Sequence, residues 1–278
     1  VQVKFDLSYN RVIKNSERIY RLEYPSQAGN GRWEHYWNRQ LPDLLTSVCP
    51  EVEVAGSLHI DVYMSQRDWS LKRNAAIENI TLEIAAAEPE GLKVFPFEFI
   101  DGGIEGFQVG DAIVLSESVA KRHNLAVGDK IYYGRGAKME DAYRTLVGIY
   151  KDFPKPSSIA YVDGWFCLDA QEFCSENQWS NPYYIRLQDG ASVEKVESTM
   201  LECVKEYLRT AGFTEEEVAT EIKSSTPRLN PIGNLYYAED VDPEKYHGSR
   251  ITTYTLIAIA VLILVISFIN FVNFFFAL

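Results

Sequence analysis

The chain has 278 residues and carries 39 acidic against 27 basic side chains, a net charge of -12 at neutral pH. That length suffices to bury a large core in one or two domains. An acidic chain without any run of Lys and Arg lacks the clustered cations that give nucleic-acid binding its affinity, so no nucleic-acid partner is expected.

The opening VQVKFDLSYNRV is polar and has no apolar signal-peptide core, and no Met precedes it, so an excised or mature chain is expected. A short helix is expected around Tyr9, Val12 and Ile13, followed by a polar turn at Lys14 to Ser16. Over residues 32–50, Trp33, Tyr36, Trp37, Leu41, Leu44, Leu45 and Val48 recur at helical spacing, with Pro42 expected to kink or restart the helix and Pro50 to end it. EVEVAGSLHIDVYM and NAAIENITLEIAAAE then alternate as strands do.

From residue 92 the composition changes. The aromatic stretch FPFEFIDG contains Phe95, Phe97 and Phe99, expected as a core strand, with a partner-facing surface as the alternative. A strand, a helix begun by Ser116, a Gly128-Asp129 turn and three more strands follow. Between the last two of these the loop at 152–158 holds Pro154 and Pro156, which restrict their own backbone and that of their predecessors, so a rigid connector between subdomains is expected there. The block over 92–178 therefore reads as a small β-rich unit. PYYIRLQDG returns to a strand, and Ser192 is a good N-cap for a helix whose stripe is Val193, Val196, Met200, Val204 and Leu208. One more strand is expected before an irregular lead to the tail. The economical topology is α+β, with one subdomain built from 1–91 and 179–250 and the β-rich block inserted.

The tail is of a different kind: from Ile251 to Leu278 there are 28 residues and no charge. A helix needs roughly 20 apolar residues to cross a bilayer, and a single span satisfies its backbone in lipid only as a helix. Asn270 and Asn273 lie three apart, so they share a helix face, where they can hydrogen-bond to neighbouring spans.

Recognisable catalytic patterns are missing: there is no P-loop, GxSxG elbow, HExxH or dinucleotide-binding fingerprint. His35, His59, His123 and His247 never fall in a ligand pair. Asp240, Asp242 and Glu244 alternate as calcium ligands can, but the EF-hand glycine and terminal acid are missing. Gly102, Gly103 and Gly106 read as backbone turns, and Cys174 as a nucleophile has no spacing to support it. Cys49, Cys167 and Cys203 read, like Cys174, as small buried hydrophobes, with up to two disulfides among the four as the alternative if the domain faces an oxidising compartment. No enzyme, metal or cofactor is expected.

Several segments carry a resemblance: LSYNRVIKNSERIYRL, KVFPFEFIDG, IVLSESVAKRHNLAVGDKI, TLVGIYKDFPKPSSI, NPYYIRLQDGASVEKVE, NPIGNLYYAEDVD and the closing INFVNFFFA. Together and in order they resemble the MacB-like, FtsX-like permease subunits of ABC transporters, above all the group found in Bacteroidetes-type bacteria. The resemblance implies a porter-like subdomain from both ends of the chain and an inserted β-rich subdomain, on the periplasmic side of the bacterial inner membrane. It makes residues 251–278 the start of the permease's second span, with Ile269, Asn270, Phe271 and Asn273 at the re-entry signature. It further implies a cytoplasmic ATPase partner, a permease homodimer, a periplasmic or outer-membrane partner and no catalytic residue. A membrane-anchored envelope binding or sensor protein is the alternative.

Overall fold

In a computed structural model, the structure describes residues 2–277 except 27, 29, 61–68, 74–75, 109, 134–141, 169–180, 225 and 242–246. The chain opens with α1 (Gln2–Ser8) and a 3-10 turn, then runs through β1 (Ile19–Pro25), the short β2 (Trp33–Glu34) and β3 (Tyr36–Trp37), α2 (Gln40–Val48) and β4 (Val52–Ser57). It continues into β5 (Trp69–Arg73), β6 (Ala76–Ile80), β7 (Ile84–Ala87), α3 (Pro89–Val94), β8 (Phe99–Gly102), β9 (Ala112–Ser116) and α4 (Glu117–His123). Next come β10 (Lys130–Tyr133), β11 (Tyr143–Tyr150), β12 (Gly164–Cys167), β13 (Asn181–Leu187), α5 (Val193–Thr210) and α6 (Glu215–Ser224). The chain closes with β14 (Arg228–Pro231), α7 (Ile232–Leu235) and the long α8 (Arg250–Phe276).

The strands form two sheets. In the first, the order is β14-β1-β13-β4, with every neighbouring pair antiparallel and β2 and β3 at the rim. With α2 after β1 and α5 after β13, this is a split βαβ arrangement, a β-α-β-β-α-β unit whose central hairpin has been opened. Everything between β4 and β13 enters through that hairpin. The second sheet runs β6-β5-β10-β11-β9-β12-β7, with β8 on the edge of β11.

The partition expected at residue 91 cuts across the second sheet, because β7 lies parallel to β12 from Ile84 beside Gly164 to Ala87 beside Cys167. The strands over 69–87 thus belong with the β-rich block. Local alternation identifies a strand but carries no information about which sheet it joins. The helix expected over 32–50 is also shortened. Residues 33–37 pair instead with Tyr24, Pro25, Asn181 and Pro182, and the Trp37 indole donates to the Leu22 carbonyl at 2.9 Å. Helix α2 starts at Gln40 with Pro42 in its first turn, where a missing N–H costs no hydrogen bond.

Alternation along β1 sends Leu22 to one face and Ile19 to the other. The first face packs on α2, α5 and α6 through Leu41, Leu45, Val196, Met200, Val204 and Val218. The second meets the second sheet: Ile19 and Tyr184 share one continuous core with Ala85, Val114, Tyr150 and Trp165. Strand β4 also runs on into the second sheet, where the His59 N–H donates to the Ala86 carbonyl at 2.9 Å. The far face of the second sheet is covered by α4 through Val119 and Ala120.

Helix α3 is held between the sheets by direct backbone contact. A Cβ on Gly91 would lie 2.1 Å from the Ser57 carbonyl oxygen, and one on Gly56 would lie 2.2 Å from the Gly91 nitrogen. The Arg186 guanidinium donates to the Lys93 and Val94 carbonyls at 2.7 and 2.8 Å, satisfying the helix's open C-terminal end. Gly91→Ala is expected to cost about 2–3 kcal/mol, because backbone must move where a side chain could have yielded. A urea midpoint reads this directly, and a loss under about 1 kcal/mol would contradict the close approach.

Candidate functional site

The N-terminal segment, the proline loop, α7 and the start of α8 meet at one junction, and buried polar side chains hold them there. Asp6 of α1 is the first. Its carboxylate accepts from the Tyr236 hydroxyl at 2.8 Å, from the Thr253 hydroxyl of α8 at 2.9 Å and from the Gln2 amide at 2.7 Å. Asp6 is 5% exposed and Thr253 1%, so water does not compete for these bonds. Burial, and then the Asp6 carboxylate it donates to, push the Tyr236 phenol well above the ordinary tyrosine range, which keeps it a donor. The Tyr236 ring stacks on Tyr9 with centroids 4.2 Å apart. The Ser249 hydroxyl caps α8 by accepting from the Thr252 N–H.

Asn10 is the second tie. It adopts a left-handed backbone, φ 59°, which Asn tolerates better than other residues bearing a Cβ. Its amide oxygen accepts from the Ser158 N–H at 2.8 Å and its Nδ2 donates to the Ile232 carbonyl at 3.0 Å. Its own N–H donates to the Pro156 carbonyl at 3.0 Å. One buried side chain therefore joins the N-terminal turn, the proline loop and α7.

Behind this junction lies a buried ion network. Glu23, on the same face of β1 as Ile19, accepts from Arg21 at 2.8 Å, from Asn230 at 3.0 Å and from Arg228 at 2.7 Å. Arg228 in turn pairs with Asp240 at 2.9 Å and lies 3.8 Å over the Trp33 ring.

The residues singled out from the sequence fall as follows. Asn270 and Asn273 are exposed on α8, which as a whole is long and apolar enough to cross a membrane. Phe95 is buried at the end of α3, and Phe97 and Phe99 pack inward, Phe97 edge-on to Tyr150, Phe153 and Trp165. They form core rather than a partner surface, because α3 and β8 turn them towards the shared interior. The loop of Pro154 and Pro156 joins β11 to β12 inside one sheet, so it is not a chain connector between the two parts. Its link to the N-terminal segment is the non-covalent one through Asn10. Asp240 of the calcium pattern is spent on Arg228, while Asp242, Glu244 and Cys174 lie outside the described residues. His35 stacks on Tyr36, and His59 bonds to Asn181 at 2.9 Å. Cys49, Cys167 and Cys203 are buried, and burial pushes the Cys203 thiol up to about 11, away from reactivity. Among the described residues no three His, Cys, Asp or Glu side chains group as metal ligands would.

Sequence reasoning missed Asp6, Asn10, Ser158, Tyr236 and Thr253 as a set. All but Thr253 lie in or beside segments that carry the resemblance, yet nothing local announces that they meet.

Comparison with known proteins bears on the same segments. The family model described as the MacB-like periplasmic core domain matches residues 7–202. A crystallised domain described as part of a permease protein from Porphyromonas gingivalis is 20% identical, with a TM-score of 0.58 over 84% of this chain and 96% of that one. The periplasmic region of MacB from Actinobacillus actinomycetemcomitans is 11% identical, with a TM-score of 0.49 over 81% and 92% of the two chains. The extracellular domain of the noncanonic ABC-type transporter YknZ from Gram-positive bacteria is 13% identical, with a TM-score of 0.44 over 76% and 98%. No curated protein matches the sequence. The match over most of the chain, on a split βαβ unit carrying a large β-rich insertion, means that the chain belongs to the family of MacB-like periplasmic core domains of ABC transporter permeases.

Proposed function

We propose that this chain is the non-catalytic extracytoplasmic part of a permease that passes a conformational change, set up by a cytoplasmic ATPase, across the inner membrane for export or signalling. Residues 1–250 would stand on the periplasmic side and α8 would re-enter the bilayer. Asn270 and Asn273 would face neighbouring spans of the permease or of a second copy, and the periplasmic end would meet an envelope partner.

The observation that carries this reading is the Asp6 carboxylate, which joins α1 to α8 and both to Tyr236 inside a buried site. A rotation or shift of α8 cannot bypass that link without breaking buried hydrogen bonds, each about 1–3 kcal/mol when a partner is left unsatisfied. The shared core also favours movement of the two sheets as one body. Parting them would expose Tyr150, Trp165 and Tyr184 among others, at about 1.5–3 kcal/mol per large apolar side chain.

The test uses the complete permease with its ATPase in a bilayer, spin-labelled at Glu216 on α6 and Ala126 beyond α4, both exposed. The label-to-label distance is expected to stay constant through the nucleotide cycle, and Thr253→Val to uncouple ATP turnover from transport while costing only about 1–2 kcal/mol of stability. A distance that changes with nucleotide, or a Thr253→Val protein that remains fully coupled, would overturn it.

A further inference from the structure

Where α8 leaves the domain there is a cleft of about 500 Å³ lined by Arg228, Asn230, Asn234, Tyr237, Glu239 and Arg250, within the size range of small-ligand sites. Its cations are not equivalent. Arg228 is committed to Glu23 and Asp240. Arg250 is exposed and rests on the Tyr237 ring at 5.6 Å, and among the described residues no carboxylate pairs with it. Glu239 is likewise exposed and, among the described residues, pairs with no cation. The cleft therefore offers one guanidinium and one carboxylate whose charges are still to be met.

Position selects the ligand. Ile251, which also lines the cleft, begins the 28-residue uncharged run, so the cleft opens where an inserted α8 crosses the bilayer surface. Phospholipid headgroups are the most concentrated solutes in that layer. A purely anionic headgroup would satisfy Arg250 but place its charge beside Glu239 and Asp240. A headgroup carrying a phosphate and a primary ammonium meets both signs, and the ammonium can donate hydrogen bonds to a carboxylate.

We propose that this cleft holds the headgroup of an aminophospholipid of the adjoining leaflet, its phosphate on Arg250 and its ammonium on Glu239. This rests on the membrane placement of α8 proposed above. A lipid seated there would touch α7's following turn and the first turn of α8 together, beside the Asp6 junction, so the bilayer itself would brace the angle at which the helix leaves the domain.

The experiment places the chain in nanodiscs of phosphatidylethanolamine, phosphatidylglycerol and phosphatidylcholine, and identifies by native mass spectrometry the lipid retained when the disc is stripped. Phosphatidylethanolamine is expected to be enriched over its share in the disc. Arg250→Gln is expected to lower retention of all three lipids about three- to tenfold, and Glu239→Gln to remove the preference for the primary amine while leaving retention of phosphate. Both side chains are exposed, so neither change threatens the fold, and matching circular dichroism spectra check this. Retained lipid that mirrors the disc, a preference for phosphatidylglycerol, or indifference to both substitutions would overturn the site while leaving the placement of α8 standing. A chain that does not enter the nanodisc at all would overturn that placement and the site with it.

Discussion

Replacing Glu23 with alanine is expected to cost about 3–5 kcal/mol, because it removes the anion from a buried charge network. Glu23 is fully buried and Arg21 is 1% exposed, and both Nε and Nη2 of Arg21 reach the same Glu23 oxygen, at 3.0 and 2.8 Å. The other oxygen takes Nε of Arg228 at 2.8 Å. Without the carboxylate, Arg21 keeps its charge in a place where solvation is poor, and Arg228 loses the partner that aims it across Trp33. Urea denaturation followed by tryptophan fluorescence measures the loss. A double change, Glu23→Leu with Arg21→Met, is expected to recover most of it, since a buried pair contributes little beyond what apolar packing would. A Glu23→Ala loss below about 1 kcal/mol would mean that water reaches the network.

Asn10→Ala is expected to cost about 3–5 kcal/mol: two buried partners, the Ser158 N–H and the Ile232 carbonyl, lose their hydrogen bonds, and alanine is less tolerant of the left-handed backbone. Asn10→Gly separates the two contributions, because it relieves the backbone without restoring the bonds, and it should recover about 1 kcal/mol. Hydrogen exchange gives a local readout, with protection of the Ser158 amide falling in both variants. Equal stability of the alanine and glycine proteins would show that φ contributes nothing. Unchanged protection at Ser158 would show that the proline loop is held by other contacts. The function proposed for the junction depends on this stiffness, since a loop that lifts away from Asn10 no longer ties the second sheet to the segment that carries Asp6.

Much of the local structure was legible. The stripe of α5 is buried at Val196, Met200, Val204 and Leu208, and the Ser192 hydroxyl accepts from the Lys195 N–H at 3.2 Å as an N-cap should. Ser116 precedes α4, and the turn at Gly128-Asp129 sits between α4 and β10. Three helices went unread: α3, six residues opened by Pro89, α6, where EEEVATEIKS buries only Val218 deeply, and α7, a single turn after Pro231. Short or weakly amphipathic helices leave little periodicity to detect. Residues 33–37 misled for the opposite reason: their aromatic residues fit helical spacing, but backbone pairing with β1 and β13 decided otherwise.

By itself the sequence determined the class of the protein and the character of its end: an acidic α+β body without a recognisable catalytic pattern, an insertion rich in strands, and an uncharged run that suits lipid. These are properties of composition and of spacing along one element, where periods of 2 and 3.6 residues are visible without a partner. Only the tertiary structure decided where the insertion begins, that the two sheets share one core, and that Asp6, Asn10, Tyr236 and Thr253 converge. Residues 6 and 253 are brought together by a hydrogen bond 2.9 Å long, spanning 247 positions of chain. A contact of that kind leaves no periodic trace, because it depends on how the sheets stack and on which faces they bury.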